Sequence, residues 1–325
     1  MFFACNTWIE RESEKIKTSF VISLICIIFA NDMDLSINCN GRLLNLAHPQ
    51  VMGILNVTPD SFFAGSRKQA ESEIAQRTNQ IIAEGGSMID VGAFSTRPGA
   101  SQVSSEEEMA RLRMALSVVR REQPYAIVSV DTFRPEVARM VVEEFGVDII
   151  NDVSEGDEKG AYGAATRLES HQGQMADDGK VPPIFQEVAR LGVPYILMST
   201  HGTLKETLMA FSKEVQQLRD LGQKDIILDP GFGFGKTLEQ NYQLMNELDK
   251  LSVMQLPLLV GISRKSMIWK VLGNNADEAL NGSTALHTIA LMKGASILRV
   301  HDVKEAVEVV KLVSCLKPEN LKSET

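Results

Sequence analysis

The 325 residues are 44% hydrophobic and 23% charged, with 23 Gly, 11 Pro and a formal net charge of −9, a profile that excludes disordered and collagen-like chains. Forty-two acidic residues against thirty-three basic ones, with no Lys/Arg-rich run, leave no cationic excess for a phosphate backbone, so nucleic acid is not an expected partner. The four cysteines, Cys5, Cys26, Cys39 and Cys315, lack paired or metal-type spacing, which points to free thiols in a reducing cytoplasm.

Residues 19–30 (SFVISLICIIFA) form an apolar run of twelve, short of the about 20 that a spanning helix needs. The run resembles a signal-peptide core, but the preceding RESEKIK mixes Glu with Lys and Arg, and no small-x-small cleavage site follows. Met33 is therefore expected to be the working start. Residues 1–32 are expected to be an extension outside the core, 33–318 the single folded domain and 319–325 a tail, with no membrane association.

From residue 51 onward, short Ile/Val/Leu-rich runs alternate with longer amphipathic stretches, the pattern of βα units around a parallel sheet. Eight strands are expected: 51–56 (VMGILN), 88–92 (MIDVG), 126–131 (AIVSVD), 148–151 (DIIN), 194–198 (PYILM), 225–229 (DIILD), 257–262 (PLLVGI) and 296–301 (SILRVH). They are apolar on both alternations, as strands covered on both faces must be. Nearly every run ends in or runs into a polar residue: Asn56, Asp90, Asp131, Asn151, Ser199, Asp229, Ser263, and Arg299 with His301. In a (β/α)8 TIM barrel these ends converge on one mouth, where the active site is built. An open doubly wound sheet is the alternative, but the NVTPDSF that follows the first strand lacks the Gly-rich turn of that fold. Helical periodicity marks 70–84, 106–121, 135–144 and 304–316, the last with Val307, Val310 and Leu312 on one face. The polar, Gly-rich stretch 154–181 reads as a long surface loop or partial helix.

GFGFGKT at 231–237 is not a phosphate loop, because Pro230 stands where the first Gly is needed, and Lys236 spoils GxGxxG. What remains is a loop after Asp229 in which Phe232 and Phe234 either pack on a flat ligand or bury themselves. Asp131, Asn151 and Asp229 together can read the donor–acceptor edge of a planar heterocycle. Taken singly, each would serve as a helix cap. Arg97, Arg264, Lys265, Arg299 and His301 gather cations at the same mouth, which implies an anionic substrate, with a salt-bridged rim as the alternative, especially for Arg264. Ser263 reads as an anion-binding hydroxyl.

In order, GILNVTPDSF (53–62), IDVGAFSTRPGA (89–100), SVDTF (129–133), IINDVS (149–154), ILDPGFGFGKT (227–237), VGISRKS (260–266) and RVHDVKEAV (299–307) resemble the dihydropteroate synthase family over residues 51–313. The resemblance implies a (β/α)8 barrel enzyme of folate synthesis, a sulfonamide target. Its reaction condenses 6-hydroxymethyl-7,8-dihydropterin diphosphate with p-aminobenzoate, giving 7,8-dihydropteroate and diphosphate. It also implies that Asp131, Asn151, Met198, Asp229, Lys265 and Arg299 hold the pterin, with Asp131, Asp229, Lys265 and Arg299 as the catalytic set. Asn56 and His301 would engage the diphosphate, Asn56 together with Mg²⁺. Thr96, Arg97, Pro98, Phe234 and Ser263 would bind p-aminobenzoate, and a homodimer is expected.

Ala64 and Phe94 stand where the family shows Asp and Glu. Ser199 and Thr200 replace a His and a Met after the fifth barrel strand. Two other readings stand beside the synthase: a pterin-binding paralogue catalytically impaired by the changes after the fifth strand, and a pterin-dependent methyltransferase that shares the barrel and the Asp131, Asn151 and Asp229 contacts. The latter would need neither STRPG nor SRKS, and both are present.

Overall fold

The computed structural model describes residues 35–57, 67–94, 103–156 and 181–316. The expected 1–32 extension, the 319–325 tail, Ala64 and the Thr96–Arg97–Pro98 loop lie outside these residues.

The chain enters through an antiparallel hairpin, β1 (Ser36–Cys39) and β2 (Arg42–Asn45). Asn40 and Gly41 form its turn with φ of 50° and 81°, the left-handed pair that a tight two-residue hairpin requires and that Asn-Gly accepts most readily. No element was expected there, although the Asn-Gly between SINC and RLLN was the available signal. The hairpin buries Ile37 and Cys39, and burial pushes the Cys39 thiol up to about 12. It is pinned at Asp148, which takes Asn40 Nδ2 at 3.2 Å, Arg42 at 2.9 Å, Arg120 at 3.1 Å and the Val128 N–H at 2.9 Å. Because Asp148 immediately precedes a barrel strand, the hairpin covers the end of the barrel opposite the mouth.

All eight expected strands are present: β3 (Gln50–Asn56), β4 (Met88–Gly92), β5 (Ile127–Asp131), β6 (Ile149–Asp152), β7 (Tyr195–Met198), β8 (Ile226–Asp229), β9 (Leu259–Val260) and β10 (Ile297–Val300). They pair in parallel in the order β8-β7-β6-β5-β4-β3-β10-β9, and a parallel bridge between Leu228 and Leu258 closes the ring. The fold is a (β/α)8 barrel. Its strands are buried on both faces because helices wrap the outside: α1 (Arg67–Ala83), α2 (Ser105–Glu122), α3 (Pro135–Phe145), α4 (Pro183–Leu191), α5 (Leu204–Asp220), α6 (Leu238–Asn246), α7 (Ser266–Leu272), α8 (Leu280–Met292) and α9 (Val303–Ser314).

Local chemistry sets several boundaries. Ser104 caps α2 by accepting from the Glu107 N–H, and three acidic residues fill the first turn while Arg120 and Arg121 close the last, complementing the helix dipole. Thr203 with Glu206 and Thr237 with Gln240 form capping boxes that start α5 and α6. Pro135 and Gly146 bracket α3.

Two expectations are corrected. On α9 the buried residues are Val303, Ala306 and Val309, whereas Leu312 is 71% exposed. Val307 and Val310 are half-buried against the same core, so Leu312 alone of the expected face points away from it. The segment expected as surface loop begins buried: Ser154 and Glu155 are 1% and 6% exposed, because the Asp152 carboxylate gathers the Ser154 and Gly156 N–H groups. Residues 157–180 lie outside the described residues.

Candidate active site

The strand ends bring most of the expected residues together. Asp131 and Asn151 are register neighbours on β5 and β6. Arg299 on β10 reaches across the interior, donating Nε–H to Asp90 Oδ2 at 2.6 Å and an η-nitrogen proton to Asp131 Oδ2 at 3.3 Å. Asn151 Nδ2 donates to that same Asp90 oxygen at 3.3 Å. Asp131 Oδ1, Asn151 Oδ1 and Asp90 Oδ1 are buried and have no hydrogen-bond partner among the described residues. Buried acceptors without partners are costly, so these oxygens are poised for donors that the described residues do not provide. Burial pushes Asp131 up to about 8 despite the Arg299 charge beside it.

Asp229, at the end of β8, is 6% exposed. Its Oδ1 accepts the Gly231 N–H at 2.8 Å, and burial raises its carboxyl against the opposing charges of Lys265 and Arg299. The loop after it turns sharply: Gly231 has φ of +69°, and a Cβ there would sit 2.0 Å from the Ser199 carbonyl oxygen, so only glycine fits. Lys236 pins the loop from within, donating from Nζ to the carbonyls of Ser199 at 2.9 Å, Gly231 at 3.0 Å and Phe234 at 3.2 Å. Burial lowers Lys236 to about 8.

The two phenylalanines divide the roles left open for them: Phe232 is fully buried, while Phe234 stays half-buried with Lys265 Nζ 4.2 Å from its ring centroid. Lys265 also donates to the Phe232 carbonyl. Its ammonium is lowered to about 7 by burial, with Asp229 opposing the shift. Met198, register partner of Asp229, lies buried beneath this loop.

The third group is Asn56, His301 and Ser263. Asn56 and His301 line a cavity of about 340 Å³ together with Glu73, Ile74 and Arg77. Ser263 Oγ accepts the His301 N–H at 3.2 Å. Two of the expected cations are not available as such. Arg264 is locked in a two-pronged pair with Asp302 at 2.8 and 2.6 Å, the rim alternative. His301 is lowered to about 4 by burial and by Arg299, so it is a neutral imidazole at pH 7.

Asp90, Lys236 and Arg77 were not assigned roles from the sequence. Asp90 carried a signal, a carboxylate inside the apolar strand MIDVG. Arg77, which bonds the Ile54 and His301 carbonyls at 3.3 and 2.6 Å, sits among the polar residues of α1 and gave none. The departures also have partners. Phe94 packs edge-on against Phe133 at 5.3 Å, and the Thr200 N–H and hydroxyl bond the buried Glu155 carboxylate at 2.9 and 2.6 Å.

A closed βα barrel whose mouth combines buried acceptors with Lys265 and Arg299 is the architecture of a pterin-binding enzyme, and a profile described as "Pterin binding enzyme" matches residues 52–301. The dihydropteroate synthase of Escherichia coli (strain K12) is 40% identical over 284 residues, covering 84% of this chain and 93% of that protein. That of Streptococcus pyogenes serotype M18 is 35% identical, covering 85% and 98%. Among solved structures, the Xanthomonas albilineans dihydropteroate synthase with 4-aminobenzoic acid superposes with a TM-score of 0.73 at 32% identity, covering 88% of this chain and 99% of that one. A Yersinia pestis dihydropteroate synthase with a sulfonamide drug gives a TM-score of 0.71 at 33% identity, covering 88% and 100%. The chain belongs to the dihydropteroate synthase family.

Proposed function

We propose that this protein condenses 6-hydroxymethyl-7,8-dihydropterin diphosphate with p-aminobenzoate, releasing diphosphate, and that it does so with Mg²⁺. The observation that carries the substrate assignment is the pair of unpartnered acceptors, Asp131 Oδ1 and Asn151 Oδ1, at adjacent strand ends. A pterin edge supplies the matching N–H donors. Asp229 takes further donors and Lys265 donates to the ring carbonyl, while Arg299 lies along the ring, held by Asp90 and Asp131.

Asn56 is exposed at the end of β3 and carries an amide oxygen. No cluster of three His, Cys, Asp or Glu that would hold a metal occurs among the described residues. A lone hard oxygen suits Mg²⁺, which keeps waters and takes much of its shell from substrate phosphates. When bound, Mg²⁺ supplies charge neutralisation to the leaving diphosphate. His301, as a neutral imidazole, donates a hydrogen bond to the same group.

As the exocyclic carbon–oxygen bond breaks, positive charge spreads over the pterin, and Asp131 and Asp229 stabilise it without attacking. The aniline nitrogen then forms the new bond to that carbon and loses a proton to the released diphosphate or to solvent. Phe234 and Ser263 are assigned to the p-aminobenzoate ring and carboxylate, and Thr96, Arg97 and Pro98 to the same substrate. Pairing of Thr200 with Glu155 supports full activity over the impaired-paralogue reading, because the replacement at the fifth barrel strand end is absorbed by a complete local hydrogen-bond set.

Val271, Leu272, Ile289 and Met292, exposed on α7 and α8, support a homodimer. The unpaired thiols of Cys39 and Cys315 support a cytoplasmic location. No helix among the described residues is long and apolar enough to cross a membrane.

The test mixes protein, both substrates and Mg²⁺ and follows diphosphate and dihydropteroate. Equal release of the two, abolished by a chelator, is expected. Pterin binding without release would overturn the proposal in favour of the paralogue.

A further inference from the structure

Asp90 lies mid-strand in β4, in register with Ile54 and Ser129, and is fully buried. One of its oxygens, Oδ2, receives both Arg299 Nε–H at 2.6 Å and Asn151 Nδ2–H at 3.3 Å. A carboxylate paired with a guanidinium can only accept. The Asn151 side chain has one donor end and one acceptor end, so drawing its amide nitrogen toward Asp90 turns its carbonyl away. That carbonyl oxygen is the buried, unpartnered Oδ1, beside the equally unpartnered Oδ1 of Asp131. Above Asp90 on the same strand face, Gly92 has no side chain, and a Cβ there would lie within 3.5 Å of Asn56 Oδ1 and 3.9 Å of Asp131 Oδ2. The glycine therefore keeps the space between these groups open to a ring.

We propose that Asp90 is a specificity-determining positioning residue: it holds the Asn151 amide with its carbonyl toward the ligand, so the pocket selects a heterocycle edge of consecutive N–H donors, as in a 2-amino-4-oxopyrimidine. The inference rests on the pterin reading of this site. An edge that carries a 2-oxo group in place of the 2-amino group sets acceptor against acceptor and is rejected. Buried polar groups left unpaired in this way weaken binding by about 10- to 100-fold.

The experiment measures dissociation constants of 6-hydroxymethylpterin and of its 2-oxo analogue, 6-hydroxymethyllumazine, by calorimetry on the wild-type protein and on Asp90→Asn. The wild type is expected to prefer the pterin by at least about tenfold. In Asp90→Asn the new amide can donate to Asn151 Oδ1, freeing the Asn151 side chain to flip, and the preference is expected to fall about tenfold. A residue that only neutralises Arg299 would weaken both ligands alike, so an unchanged ratio overturns the inference. If Asp90→Asn does not fold, the exchanged pair Asp90→Asn with Asn151→Asp decides. In that double variant the carboxylate on β6 accepts from the amide introduced on β4 and still offers an oxygen to the ligand, so the wild-type preference should be retained, and its loss overturns the inference. Wild-type protein that binds neither ring would overturn the pterin reading itself, an outcome distinct from binding with an unchanged ratio.

Discussion

Replacing Asp229 by Asn alters one atom at the centre of the site. The amide keeps the size of the carboxylate, and its oxygen can go on accepting the Gly231 N–H now bonded at 2.8 Å. That arrangement turns an NH₂ toward the ligand where a charged acceptor stood. The loss combines a charge-assisted hydrogen bond, about 1.5–3 kcal/mol, with a ligand donor left facing another donor out of water, about 1–3 kcal/mol. A combined loss of about 3–5 kcal/mol corresponds to roughly a 100- to 4,000-fold weaker pterin complex at 1.4 kcal/mol per tenfold. Removing the carboxylate also removes the attraction that opposes deprotonation of Lys265, so that lysine falls below its present value of about 7. Isothermal calorimetry with 6-hydroxymethylpterin reads the affinity, and a thermal melt on the same sample checks the fold. Affinity within about threefold of wild type, in a variant that melts normally, would refute the placement of Asp229 on the pterin edge.

The pterin complex is expected to be tightest between pH 7 and 8. As the pH falls below about 8, Asp131 is progressively protonated and loses an acceptor. As it rises above about 7, Lys265 loses its charge and a donor, so the two opposing titrations cross within this window. A flat affinity from pH 6 to 9 would count against both roles. Ser263→Ala should weaken p-aminobenzoate binding about tenfold, the effect of one hydrogen bond to a charged group, and leave pterin calorimetry unchanged; lost pterin binding would place the hydroxyl elsewhere. Asp148→Asn strips the charge from a buried carboxylate that serves two arginines and the N-terminal hairpin. Breaking such a pair costs about 3–5 kcal/mol, so the melting temperature should drop by roughly 10 °C at about 2–4 °C per kcal/mol, and a shift below about 2 °C would show that the hairpin is not held there.

The barrel was legible because parallel strands covered by helices have no polar face to disguise them: runs such as MIDVG and DIILD stand out from their polar flanks, and their final residues turn in to one mouth. The candidate site was legible in the same way, since Asp131, Asn151, Asp229 and Arg299 all lie at strand ends or one residue short of them. The hairpin at 36–45 was equally readable from its Asn-Gly turn, although its purpose was not, because Asp148 lies 108 residues beyond Asn40 in the chain.

What the tertiary structure alone decided is which charges are free. In the linear chain Arg264, Lys265, Arg299 and His301 are equivalent cations. In the fold Arg264 is taken up by Asp302, His301 is neutralised by burial, and Lys265 is brought near its titration point. The roles of Asp90, Lys236 and Arg77 depend on the same physics. Charge, hydrogen-bond direction and protonation state are set by desolvation and by neighbours drawn from different strands, and composition and periodicity carry no record of those distances.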